Sequence, residues 1–145
     1  MPEWIQTFTV DASYSPATGI TGIGIVIQER SGRSRRGPIV EQLSESHRNI
    51  TVGDGELYAV LRALEVAKQL GFTRIKVRSD YNRMRRSLRE RYRDGSVALD
   101  LEGCVLQLAR SFDWIDFGYV PRRKNQAAHV LSRKATQLSP AANQP

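Results

Sequence analysis

The chain has 145 residues, enough for one domain with a sizeable core of its own. A single cysteine, Cys104, excludes a disulfide framework and a multi-cysteine zinc site, and no run approaches the ~18 apolar residues of a membrane span. Lys and Arg number 22 against 15 Asp and Glu, and the net charge of +7 points to a polyanionic partner, most often nucleic acid.

Trp4 to Val10 is rich in aromatic and β-branched residues and reads as a strand closed by Asp11. Ser13 to Gly19 reads as a turn. Thr21 to Gln28 alternates Ile23, Ile25 and Ile27 on one face as a second strand, and Pro38 to Ser46 is a third after a basic loop, Ser31 to Gly37. The period then changes. Leu57, Leu61, Leu64 and Ala67 recur at helical spacing, with Thr51 and Asp54 as candidate caps and Gly71 as the stop. Thr73 to Ser79 is a fourth strand. Asn82 to Arg93 reads as a very basic helix with Met84 and Leu88 on one side, ended by Asp94-Gly95. Val97, Leu101, Val105 and Leu108 mark another helix, in which Cys104 is expected to be a core residue. Trp114 to Val120 is a fifth strand, Pro121 to Lys124 a basic loop, and Asn125 to Gln137 a last helix with Ala128, Leu131 and Ala135 on one face.

The order β-β-β-α-β-α-α-β-α implies an α/β fold with a mixed sheet and helices on both faces. Residues 1–137 are expected to form one domain, with 138–145 as a flexible polar tail. The Met-Pro-Glu-Trp start has no basic segment followed by an apolar one, so a cytoplasmic protein is expected, without a membrane association and monomeric.

Charge is unevenly spread. Arg74 to Arg93 holds nine Lys or Arg, residues 30–36 hold four arginines, and 122–134 hold five basic residues. Between these runs stand four polar residues at element ends: Asp11, Glu56 in the first turn of the first long helix, Asp80 after the fourth strand, and His129 one turn into the last helix. Singly, each has an ordinary structural role. An Asp after a strand bonds its own turn, and a Glu in a first helical turn complements the macrodipole. If the first and fourth strands are parallel neighbours, Asp11 and Asp80 emerge side by side where ligands of open α/β sheets lie. Like charges gathered there need a counter-ion, and hard oxygen ligands suit Mg²⁺ or Mn²⁺.

Four motifs resemble those of the type 1 ribonuclease H family over roughly residues 5–136. They are Thr9-Val10-Asp11-Ala12-Ser13 with the following Thr21–Ile27 hairpin, Gly55-Glu56-Leu57-Tyr58-Ala59, Ile75-Lys76-Val77-Arg78-Ser79-Asp80, and Asn125-Gln126-Ala127-Ala128-His129-Val130-Leu131. The resemblance implies a five-stranded ribonuclease H-like sheet of order 3-2-1-4-5 with strand two antiparallel. It implies hydrolysis of the RNA strand of RNA–DNA hybrids with two Mg²⁺ or Mn²⁺ ions per active site, leaving 5′-phosphate and 3′-hydroxyl ends. Asp11, Glu56 and Asp80 fall on the family's metal-binding carboxylates, and His129 falls where a fourth ligand, aspartate, is usual. Val52-Gly53 stands where many members carry paired asparagines. The loop Pro121-Arg122-Arg123-Lys124 lacks a histidine that some members use in product release. Expected contacts to nucleic acid are Ala12, Ser13, Gly53, Arg85, Arg86, Arg89, Arg122, Arg123, Lys124 and Asn125. Two other readings stay open: a weakly active or inactive hybrid-binding domain, and a same-fold nuclease for another duplex or branched substrate.

Overall fold

The computed structural model describes residues 5–30, 39–97 and 100–137. The expected basic loop 31–37, Trp4 at the start of the first strand, and the tail 138–145 lie outside the described residues. Five strands form one sheet: β1 (Ile5–Ser15), β2 (Ile20–Arg30), β3 (Ile39–His47), β4 (Arg74–Ser79) and β5 (Trp114–Tyr119). Their order is β3-β2-β1-β4-β5. The β1–β2 and β2–β3 pairs are antiparallel, whereas β1–β4 and β4–β5 are parallel. This is the expected ribonuclease H-like topology.

Four helices cover the sheet: α1 (Gly55–Gln69), α2 (Asn82–Asp94), α3 (Leu101–Ala109) and α4 (Gln126–Thr136). Alternation along the strands sends Phe8, Val10, Ile23, Ile25, Ile27, Ile75 and Val77 to one face. There they form the core with Ala59, Val60, Ala63 and Leu64 of α1, Met84 and Leu88 of α2, and Val105 and Leu106 of α3. The stripe of α1 that faces inward is Val60, Ala63, Leu64 and Ala67. Leu57 and Leu61 pack at its margin, partly buried. Gly71 adopts a left-handed φ of 80° after α1. The Phe72 and Gly71 amides donate to the carbonyls of Ala67 and Lys68, which closes the helix end as expected of this glycine.

Two sequence expectations are corrected on α3. The helix starts at Leu101, because the Asp100 carboxylate accepts from the Gly103 amide (2.7 Å) and caps it there; Val97 is exposed outside it. Cys104 is exposed. Gly103, Val105, Leu106 and Ala109 fill the inward face, and 104 falls on the outward side of the turn.

The opposite face of the sheet carries α4, which packs on β2, β1 and β3. Gly22 and Gly24 make this docking possible. A Cβ on Gly22 would stand 1.9 Å from the Ser132 carbonyl oxygen, and one on Gly24 2.1 Å from that of Ala128. No larger residue lets the helix backbone lie this close to the strand. The seam is closed by Ser44 and Ser46 of β3, whose hydroxyls donate to the Leu131 and Ala135 carbonyls at 2.7 and 2.6 Å.

Candidate active site

Asp11 lies inside β1, four residues before its end, and pairs with Gly24 of β2. The expected strand end at Asp11 is therefore corrected: the hairpin keeps its antiparallel ladder to Ser15↔Ile20, and the turn narrows to residues 16–19. What ends near Asp11 is the other neighbour. The last β1–β4 pair is Thr9↔Arg78, and Asp80 follows one residue after β4. Beyond Thr9 the β4 flank of β1 is open, and Asp11 and Asp80 meet there.

Glu56 arrives from the core-side layer. Gly55 begins α1 against Ala12, and the Ala12 amide donates to Glu56 Oε1 at 3.3 Å. Neither Thr51 nor Asp54 caps the helix with a side chain; Thr51 Oγ1 instead donates to Asp54 Oδ2 (2.7 Å). One carboxylate oxygen each from Asp11, Glu56 and Asp80 lie within 4.8 Å of one another. Asp11 is only 4% exposed. Burial first, and then the charges of Asp11 and Asp80, push the Glu56 carboxyl up to about 9; the Ala12 amide opposes this only in part. Glu56 Oε2 is buried with no hydrogen-bond partner. An oxygen-only donor set, crowded enough to hold a proton at neutral pH and with one buried acceptor unmet, fits a hard divalent cation.

The α4 layer supplies His129. Its Nδ1 lies 2.8 Å from Asp11 Oδ2, while its side chain is 40% exposed. His129 thus meets Asp11 alone and stands outside the converging set of three oxygens. Ser132, one turn on, donates to the same Asp11 oxygen at 3.4 Å and shares a 2.7 Å bond with Ser13. Sequence reasoning missed Ser132. Its three-residue spacing from His129, which places both on one helix face, is the signal that marks it. Asn125 is 2% exposed, and its amide donates to the Val10 carbonyl (3.1 Å) and to Asp80 Oδ2 (3.2 Å). Its amide group ties α4 to β1 and steadies Asp80 rather than facing outward.

The other expected contacts divide. Gly53 and Arg122 line a hollow of about 350 Å³ with Glu56, Asp80 and Tyr81. Arg122 also borders a second hollow of about 390 Å³ that holds Ala12, Ser13, His129 and Arg133. Arg123 and Lys124 are exposed on the same short turn. On α2, Arg86 is exposed, Arg85 bonds Asn82, and Arg89 approaches Asp116 at 3.6 Å. These three lie along the helix leading away from Asp80, not within the carboxylate cluster.

The family model described as reverse transcriptase-like matches residues 9–135. This chain belongs to that family of ribonuclease H-like domains. Ribonuclease H1 of the halophilic archaeon Halobacterium salinarum has the same fold, with TM-score 0.70 and 22% identity over 91% of this chain and 97% of that one. The N-terminal RNase H domain of rv2228c from Mycobacterium tuberculosis gives TM-score 0.71 and 21% identity, covering 90% and 98%. LC11-RNase H1, solved in complex with an RNA/DNA hybrid, gives 0.67 and 19%, covering 91% and 96%. Among curated proteins, none matches the chain by sequence. No helix among the described residues is long and apolar enough to cross a membrane.

Proposed function

We propose that this chain is an endoribonuclease that cuts the RNA strand of RNA–DNA hybrids, using two Mg²⁺ or Mn²⁺ ions held by Asp11, Glu56, Asp80 and His129. The observation that carries this reading is the convergence of three carboxylate oxygens within 4.8 Å at the open flank of β1. Divalent cations held there supply the charge that stabilises the attacking and leaving oxygens of a phosphodiester displacement. Asp11, Glu56, Asp80 and His129 are the residues that would hold the ions, with Asp11 close to Glu56 and Asp80 and bonded to His129. Asn125 holds Asp80, and Ser132 holds Asp11, so the ligands are oriented before substrate arrives. An imidazole in place of a carboxylate tilts the site from Mg²⁺ towards Mn²⁺.

A protein of this fold was solved with an RNA/DNA hybrid, which supports the substrate class. Arg122, in the hollow beside Glu56 and Asp80, with Arg123 and Lys124 on the same turn, and Arg85, Arg86 and Arg89 on the helix leading away from Asp80, would carry the phosphates of the duplex. The 2′-hydroxyl is the group by which such a site tells RNA from DNA. The test is cleavage of end-labelled hybrid, RNA duplex and DNA duplex in Mg²⁺ and in Mn²⁺. The reading expects cuts in the RNA of the hybrid alone, 5′-phosphate products, and loss of cutting with retained hybrid binding in Asp11→Asn. Turnover near wild type in Asp11→Asn contradicts it.

A further inference from the structure

The hollow on the α4 side of the cluster measures about 390 Å³ and is bordered by Ser13 and Tyr14 of β1, by Arg122, and by His129 and Arg133 of α4. Three elements meet there, and each is fixed. The 2.7 Å bond between the Ser13 and Ser132 hydroxyls ties β1 to α4. Gly22 lets the α4 backbone lie against β2 at Ser132, so Arg133, the next residue, is carried on backbone that has no room to shift inward. The turn that bears Arg122 is closed by the Lys124 amide donating to the Pro121 carbonyl (2.8 Å) and the Asn125 amide to the Arg122 carbonyl (3.0 Å). Arg133 follows His129 by one helical turn and shares its face. The charge of this hollow is one-sided. No acid lines it. Among the described residues neither the Arg122 nor the Arg133 guanidinium is paired with an acid, and both residues are exposed. Tyr14, 41% exposed, brings an aromatic ring to the same rim.

We propose that this hollow is a nucleotide subsite, with a phosphate held between Arg122 and Arg133 and the attached nucleoside packed on the Tyr14 ring. A guanidinium presents its donors in a planar fork that matches phosphate oxygens, and two of them without acid partners leave positive charge for an anion to meet. An aromatic ring beside cations supplies the stacking surface that any base accepts. A cation in the last turn of a helix also complements the helix dipole, which would account for Arg133 alone. It does not account for Arg122, which comes from a separate turn and borders the same hollow. Arg122 also borders the hollow that holds Glu56 and Asp80. A strand crossing the carboxylates would therefore pass Arg122 from one hollow into the other, and Arg133 and Tyr14 would hold its next nucleotide. The link to the cut strand rests on the proposed function; the binding of a nucleotide does not.

The full chain, labelled with ¹⁵N and kept in EDTA, is titrated with uridine 5′-monophosphate while the arginine Nε–Hε resonances are read; Arg122→Gln and Arg133→Gln identify the two signals. Saturable shifts of both are expected, with none from uridine. Tyr14→Leu should weaken the nucleotide by roughly fivefold or more and leave the response to inorganic phosphate as in the wild type. In anisotropy titrations of labelled hybrid in EDTA, Arg133→Gln should lower the log–log salt slope by about 0.9. In cleavage assays it should raise KM with kcat nearly unchanged. Hybrids whose RNA begins with a 5′-hydroxyl or a 5′-phosphate separate the two sources of the phosphate. An equal effect of Arg133→Gln on both assigns an internal diester, and an effect confined to the phosphorylated hybrid assigns a terminal monoester; either upholds the subsite. Shifts with the mononucleotide but no hybrid cleavage uphold this inference and overturn the proposed function. Hybrid cleavage with no response of either arginine to the mononucleotide, or an unchanged salt slope in Arg133→Gln, overturns the inference and leaves Arg133 as a complement to the helix dipole.

Discussion

The two flanks of the carboxylate cluster are built on different principles. On the α4 flank, backbone meets backbone through Gly22 and Gly24, and the helix holds the acids directly: His129 and Ser132 bond Asp11, and Asn125 bonds Asp80. On the α2 flank, only Met84 and Leu88 are buried, and the arginines lie outside, some resting on acids such as Asp116 and Glu102. A group that must sit within a few tenths of an ångström needs the first kind of construction. A group that must only present charge to a phosphate needs the second.

The sharpest way to break this comparison is a β-carbon on the tight side. Gly24→Val should lower stability by about 3 kcal/mol or more, because the clash is with the Ala128 backbone and not with a yielding side chain. Gly53→Ala, where nothing lies within 4 Å, should stay within about 0.5 kcal/mol. Urea unfolding of the pair checks both. Equal midpoints would mean that α4 does not depend on close approach.

A second prediction concerns the cluster that the tight flank supports. With no divalent ion bound, Glu56 holds its proton up to about 9 in the folded chain, against an ordinary value of 4.5. Between those values the folded state binds more protons than the unfolded one, so stability should fall as pH rises from 4.5 to 9. A divalent ion at about a hundred times its dissociation constant should restore about 2.7 kcal/mol at alkaline pH and flatten the slope. Thermal melts across pH, in EDTA and in Mn²⁺, read this directly, and a melt that strengthens from about pH 5 to 9 in EDTA would contradict it.

His129 sharpens the contrast at the level of one side chain. His129→Asp should keep the fold and move the metal optimum towards Mg²⁺, while His129→Ala should lose more activity in Mn²⁺ than His129→Asp does. Identical rates and metal preference in His129→Ala and wild type would remove His129 from the ligand set. The smallest effect belongs to the loose flank. Replacing Arg85, Arg86 and Arg89 with Ala should leave the urea midpoint nearly unchanged, yet raise the dissociation constant for hybrid. It should reduce the log–log salt slope by about 0.9 for each phosphate that these arginines neutralise. An unchanged slope would make them a solvated face only.

The first three strands and the helix count were legible from alternation and helical period, whereas the strand order and the grouping of the three carboxylates as metal ligands came from the four motifs that resemble the ribonuclease H family. Most of what escaped reading depends on partners far apart in sequence or on helical phase. Asp11 looked like the last residue of a strand because the hydrophobic alternation ends there, but hydrogen bonding to β2 carries β1 on to Ser15. Gly22 and Gly24 gave no sign of the helix that would lie on them roughly a hundred residues later. Cys104 sits among apolar neighbours in sequence but faces outward by helical phase. His47 bonds Glu45 at 2.9 Å and lies edge-on to Tyr58. Burial alone would raise the Glu45 carboxyl, but bonds from Arg62 and His47 outweigh it and hold it down at about 2.

The central claim is that Asp11, Glu56 and Asp80 together hold divalent cations, and calorimetric titration of Mn²⁺ into the chain, with no nucleic acid present, tests it without relying on turnover. Saturable binding that is lost or weakened by roughly tenfold or more in Asp11→Asn, and that releases protons at about pH 8 as Glu56 ionises, is the predicted result. Binding of equal strength in Asp11→Asn, or no proton release on binding, would contradict the account.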